Sequence, residues 1–375
     1  MQKKIEQLKN SIESWPASWT NLLEFFKTEF SGVTGDGNFW KALVNSTLSA
    51  KELESEEAYK AFFHKYWTHM RPEILRSNYS FITAAEYGLD VLIANQLNGL
   101  NPEQCAALLA STTANKDTAL HYAVRNGELL TTTVLIEHGS NINARGFMGA
   151  TPLHIAADGG FTSIVDLLLS KDANYDLKRS DGLKAIHIAA AYGYPMIVEQ
   201  IVKKDRSQLN TQSGKTTTPF YEAASSNQLE VMKKLIDLGT PNVNFINPQN
   251  KTSAMHYAAH HGNFEMVLLL STHGAKVELA DQNELTPLHH AVSNTKPSSE
   301  VIAHLLENGA DVNAGDPPPL YVLSSTIDED TVTPEAQAAA KLLLQNGAQI
   351  NSATYGEAFF DSYEERSANV PSGGL

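Results

Sequence analysis

Apolar positions in this chain recur at helical spacing, in short runs that come in pairs. In Thr151-Pro152-Leu153-His154-Ile155-Ala156-Ala157, Thr151 is placed to cap a helix by accepting from the free amides of its first turn. Pro152 suits the first helical position, where no amide donor is needed. Leu153, Ala156 and Ala157 then supply a small, apolar face on which a neighbouring helix can lie close, and Gly160 ends the helix. Ile164, Val165, Leu168 and Leu169 follow at helical spacing and predict a second, more apolar helix. Asn174-Tyr175-Asp176 leads into an outward turn that closes at Asp181-Gly182. Two helices this short cannot bury their apolar faces alone, so their stability has to come from stacking on neighbours.

The pattern repeats. With the histidine slot as ruler, copies fall at His121, His154, His187, Tyr221, His256, His289 and Tyr321, in steps of 33, 33, 34, 35, 33 and 32 residues. A period near 33 that opens with T-P-L-H-x-A resembles the ankyrin-repeat family, over roughly residues 79–353. The resemblance implies an all-α fold, an ankyrin-repeat solenoid of about eight helix-turn-helix units behind a small helical N-terminal domain. Ile82 fills the slot of a degenerate first unit, and its distance of 39 residues from His121 predicts an enlarged connection at Asn101-Pro102-Glu103-Gln104-Cys105. The step of 35 predicts a longer outward finger around Phe245-Ile246-Asn247-Pro248-Gln249-Asn250. Asn294 to Ser299 replaces the usual glycine turn with a longer loop, and an acidic insertion at 328–334 separates the helices of the last unit.

The flanks read differently. Residues 1–78 hold all four tryptophans, Trp15, Trp19, Trp40 and Trp67, among helical-period segments, and predict a helical domain that caps the first repeat. Within it, Ser31 to Leu43 contains Asp36-Gly37-Asn38. This is not a phosphate loop, because the Gly-Lys-Ser/Thr ending is absent. It resembles the nucleophile segment of ovarian-tumour-type deubiquitinases, but Phe39 stands where the cysteine belongs, and the only thiol in the chain is Cys105. Without a thiolate there is no acyl-enzyme, and no enzymatic activity is expected. In residues 354–375, Phe359, Phe360 and Tyr363 are placed to cover the last repeat, ahead of a loose tail. That acidic, small-residue terminus resembles the translocation signals of bacterial effectors, many of which carry ankyrin repeats. The resemblance implies an alternative function, an effector injected into host cells whose N-terminal domain recruits or modifies a host protein.

The formal charge of −14 opposes sequence-independent binding to nucleic acid and to anionic membrane surfaces. A single cysteine excludes an internal disulfide and fits a reducing compartment. No apolar run is long enough to cross a bilayer or to serve as a signal peptide, which leads to the expectation of a cytoplasmic monomer, in the host cytosol if translocated.

The family resemblance makes the slot histidines structural, each fixing the stack through hydrogen bonds. His256 and His260 share the spacing of zinc-binding helices, but no intervening glutamate and no third ligand accompany them, so neither a metal nor a cofactor is expected. By the same resemblance, the groove-facing positions are Tyr122, Arg125 and Asn126; Ile155, Asp158 and Gly159; Ile188, Ala191 and Tyr192; Glu222, Ser225 and Ser226; Tyr257, His260 and His261; and His290, Ser293 and Asn294. The finger turns add Arg145, Phe147 and Met148, then Lys178, Arg179 and Asp181, then Gln212 and Lys215. Tyrosine, arginine and exposed apolar side chains are what binding hot spots are built from. The expected activity is that of a non-catalytic scaffold holding a protein partner along the groove and fingers. Phe147 and Met148 at a turn tip either serve that contact or pack on the adjacent finger.

Overall fold

The computed structural model describes residues 78–294, 296–326 and 333–349. Residues 1–77 of the expected N-terminal domain, with the Asp36-Gly37-Asn38 segment, lie outside the described residues, as do most of the acidic insertion and the whole 354–375 segment. The chain divides into two compact units, Met1–Asp181 and Gly182–Leu375. Among the described residues every regular element is a helix.

In the first unit, α1 (Asn78–Glu86) pairs with α2 (Asp90–Asn98), α4 (Ala119–Arg125) with α5 (Leu129–Glu137), and α6 (Pro152–Asp158) with α7 (Thr162–Ser170). First helices stack on first helices, α1 on α4 and α4 on α6, while α2, α5 and α7 stack as a second row. Their shared core is built on Phe81, Leu120, Leu135, Leu153, Ile164 and Leu168. The connection expected at Asn101–Cys105 is itself a helix, α3 (Pro102–Leu109). Asn101 caps it by accepting from the Gln104 amide at 2.9 Å, and Gln104 Oε1 accepts in return from the Asn101 amide at 3.2 Å. Asparagine followed by proline and a glutamine three residues on is a helix start, so the enlarged connection expected from the long spacing is helical.

The second unit repeats the arrangement. It pairs α8 (Ala185–Ala191) with α9 (Pro195–Lys204), α10 (Pro219–Ser225) with α11 (Leu229–Leu238), and α12 (Ala254–His260) with α13 (Phe264–Thr272). It ends with α14 (Pro287–Val292) and α15 (Ser299–Glu307), then α16 (Pro319–Ser325) and α17 (Pro334–Gln345). The finger around Asn247 is lengthened at its turn. That turn closes from Lys251 N to Asn247 O, one residue wider than the turn from Gly149 N to Gly146 O, and Asn247 at its base is buried.

The slot histidines show why the repeat is built as it is. In the first unit the Thr118 amide donates to His121 Nδ1 at 3.1 Å, so the ring proton sits on Nε2, which meets the carbonyls of Ala144 and Ala150 at 3.1 and 3.2 Å. One imidazole therefore caps its own helix and holds the finger that leads to the next repeat. In the second unit His256 spans Ser253 N and Leu285 O, and His289 spans Thr286 N and Pro317 O. Asparagines link the far ends of repeats in the same way: Asn143 Oδ1 accepts from Asn174 N, and Asn244 Oδ1 from Lys276 N, both at 2.8 Å.

Adjacent fingers of the second unit meet through glycine. Gly214 N donates to Gly182 O at 2.6 Å, and a Cβ on Gly214 would stand 2.7 Å from Gly182 Cα. Backbone cannot yield as a side chain does. Gly214→Ala is expected to cost about 1–3 kcal/mol by forcing the two turns apart. A urea denaturation midpoint equal to wild type would contradict that close approach.

Candidate binding site

Many of the groove and finger residues predicted in the first unit line one hollow of about 290 Å³, whereas Tyr122, Asn126, Arg145, Lys178 and Asp181 do not. It is lined by Arg125, Phe147, Met148, Ala150, His154, Ile155, Asp158, Gly159 and Arg179, which come from α4, α6 and two successive fingers. Asp117, which does not itself line the hollow, ties two of the lining residues together. Its carboxylate is buried, takes the Arg125 guanidinium on Oδ2 at 2.9 Å and accepts the Phe147 amide on Oδ1 at 2.8 Å. One aspartate thus holds a helix side chain and a finger tip in fixed relation. The Arg125 guanidinium also lies 5.1 Å from the centre of the Tyr122 ring.

Met148 takes a left-handed conformation at φ 52°, its carbonyl accepts from Ser180 N at 2.8 Å, and Arg145 Nη1 donates to Lys178 O at 2.9 Å. The turn packs on its neighbour through main chain and Arg145, while the Phe147 and Met148 side chains remain 54% and 50% exposed. About half of each side chain is covered and half is left open to solvent. Arg179 is bound by Asp181 through two hydrogen bonds, Nε to Oδ1 at 3.1 Å and Nη2 to Oδ2.

Other predicted groove residues are used to hold the stack. Asn126 Nδ2 donates to Glu86 O at 2.6 Å, His261 Nε2 meets Ser225 O at 3.0 Å, and Asn294 Nδ2 donates to His260 O at 2.9 Å. All three follow a first helix and satisfy a carbonyl at the end of the preceding first helix, an end that otherwise lacks donors. Ile188, placed in the groove by its position, is 1% exposed and belongs to the core. Tyr192 is 58% exposed on the second unit and does not line the hollow.

The second unit gathers a different set. Tyr221, in the histidine slot, meets Thr252 Oγ1 at 2.6 Å and the Tyr257 hydroxyl at 3.2 Å, and accepts from Asn247 Nδ2 at 3.3 Å. Burial pushes its phenol up to about 12. His290 lies edge to face with His256 at 5.2 Å and with His260 at 6.2 Å, and its Nε2 is 3.1 Å from Asp281 Oδ2. Burial, then the neighbouring His290, lowers His256 to about 4, and the same causes lower His260. Burial works against the Asp281 carboxylate, yet hydrogen bonds from His290 and from the Asn283 and Leu285 amides hold its pKa below the ordinary value. Among the described residues no three His, Cys, Asp or Glu side chains are grouped to hold a metal, and no helix is long and apolar enough to cross a membrane. Asp117 was missed by sequence reasoning, although its place directly before the capping Thr118 was a usable signal.

A family model described as "Ankyrin repeats (3 copies)" matches residues 81–179 and 220–316. Human "Ankyrin repeat and SOCS box protein 6" is 32% identical over 153 residues, 37% of this chain and 35% of that protein. A "Putative ankyrin repeat protein" of Rickettsia felis is 29% identical over 147 residues, 38% of this chain and 64% of that protein. The chain therefore spans less than two thirds of the length of each of these relatives. Among solved structures, the human ASB11 ankyrin repeat domain aligns at a TM-score of 0.53 and 25% identity, over 62% of this chain and 98% of that one. With paired helices, histidine-capped turns and a family model that covers half of its length, this chain belongs to the ankyrin-repeat family.

Proposed function

We propose that the chain is a non-catalytic scaffold, acting as a cytoplasmic monomer, that holds a protein partner along its groove and finger turns. The hollow on the first unit is the anchor site. One observation carries this reading: Arg125, Phe147, Met148, Asp158 and Arg179, scattered through the sequence, line a single hollow, and its two large apolar finger residues stand half in water. Exposed apolar and arginine side chains around a concavity are the composition of a binding hot spot. The Tyr257, His260 and His290 cluster is the second contact region, and the 1–78 segment caps the array.

The test is a pull-down with the intact chain as bait, followed by affinity measurement on what it captures. Combined alanines at Arg125, Phe147 and Met148 are expected to weaken binding by about 2 kcal/mol or more, roughly thirtyfold. Alanines at Tyr257, His260 and His290 are expected to weaken it less. The opposite ranking would move the anchor site to the second unit.

A further inference from the structure

We propose that the hollow on the first unit accepts a lysine or arginine side chain of the partner, with Asp158 as its counter-ion. This rests on the scaffold reading above and specifies the chemistry of the residue held there. Three charged side chains line the hollow, Arg125, Arg179 and Asp158. The two guanidiniums already have carboxylates, Asp117 for Arg125 and Asp181 for Arg179. Asp158 is exposed and has no ion-pair partner among the described residues. The charge left over in the hollow is therefore negative, although its arginines suggest the reverse.

Position strengthens the effect. Asp158 is the last residue of α6, where the free carbonyls of the helix end add negative potential and favour a cation. Phe147, Met148 and Ile155 supply apolar walls for the methylene stem of a long basic side chain, and the exposed Phe147 ring is available to a guanidinium or ammonium group. An acidic anchor would have to take Arg125 from Asp117, whose side chain is 3% exposed, and would leave that buried carboxylate unpaired. A basic anchor displaces nothing. At longer range the chain's net charge of −14 also draws in a basic segment.

A random peptide library displayed on phage, panned against the full-length protein, tests this directly. Peptides with lysine or arginine at a fixed position beside apolar residues are expected to be enriched. Synthetic copies should lose at least tenfold in affinity when the bait carries Asp158→Asn, and again when the peptide's basic residue is replaced by glutamine. Circular dichroism of Asp158→Asn should match wild type, because that exposed side chain makes no ion pair among the described residues. If the enriched peptides depend on Phe147→Ala yet carry no basic residue, or bind Asp158→Asn as tightly, the basic-anchor inference is overturned and the hollow remains a binding site. If they bind Phe147→Ala and Met148→Ala baits unchanged, the hollow is not the site and both readings fall. A selection that enriches no basic motif overturns the inference as well.

Discussion

Acidification from pH 7 to pH 4 should strip the second unit of much of its stability, with the loss starting near pH 6.5. His256 is 1% exposed, and burial together with the nearby His290 lowers its pKa to about 4. Its Nδ1 accepts from the Ser253 amide, so a second ring proton would point at an N–H that already occupies that place. A histidine whose folded pKa lies below its unfolded value binds more protons when unfolded. Its contribution is therefore complete above the unfolded value of 6.5 and is lost as pH falls through about 4. At roughly 1.4 kcal/mol per pKa unit this amounts to about 3 kcal/mol by pH 4 from His256 alone. Burial lowers His289 and, in the first unit, His121, and both act in the same direction. Urea denaturation of the full chain at several pH values between 7 and 4 measures it. A midpoint that stays flat over that range would mean that these imidazoles are charged, or free to move, in the folded state.

Phe220→Ala should produce the largest loss from any single truncation in the second unit, about 3–5 kcal/mol. Phe220 is 1% exposed and stands where other repeats carry Leu120, Leu153, Met255 and Leu288, so the space around it is fitted to a larger side chain. The flanking short helices can close only part of the cavity, because Thr218 caps α10 through the Tyr221 amide and the Tyr221 hydroxyl is tied to Thr252. Phe220→Leu should cost much less. Because each repeat leans only on its neighbours, hydrogen exchange should quicken in α10 and α11 and in the pairs beside them before it changes at α16. A Phe220→Ala loss below about 1 kcal/mol would show that the repeat can collapse around the missing ring.

What could be read in advance was whatever repeats. The capping threonine with its histidine, the glycine after the first helix and the apolar pair spacing each recur near every 33 residues, so each unit supports the reading of the others. Where a unit departs from the pattern, the positional argument weakens. Ile188 occupies a groove position by its number but faces the core, and the long spacing before His121 holds α3, whose own start signal was visible at Asn101. Asn126 and His261, at groove positions, both bridge to the preceding helix end. Position in the repeat does not tell whether a carbonyl of the neighbouring repeat lies within a side chain's reach.

The sequence by itself determined that the chain is an array of helix pairs, which side chains cap its turns, and where the fingers lie. Those features follow from helical period and local chemistry, which act over a few residues and need no knowledge of the partner repeat. Only the tertiary structure showed which charges around the candidate site are paired. Arg125, Arg145, Lys178 and Arg179 make that stretch read as basic, but Asp117 and Asp181 pair with two of the arginines and leave Asp158 exposed in the hollow. A charge's effect depends on which opposite charge its flexible side chain can reach once the turns are stacked, and the linear chain specifies that reach only after it has folded.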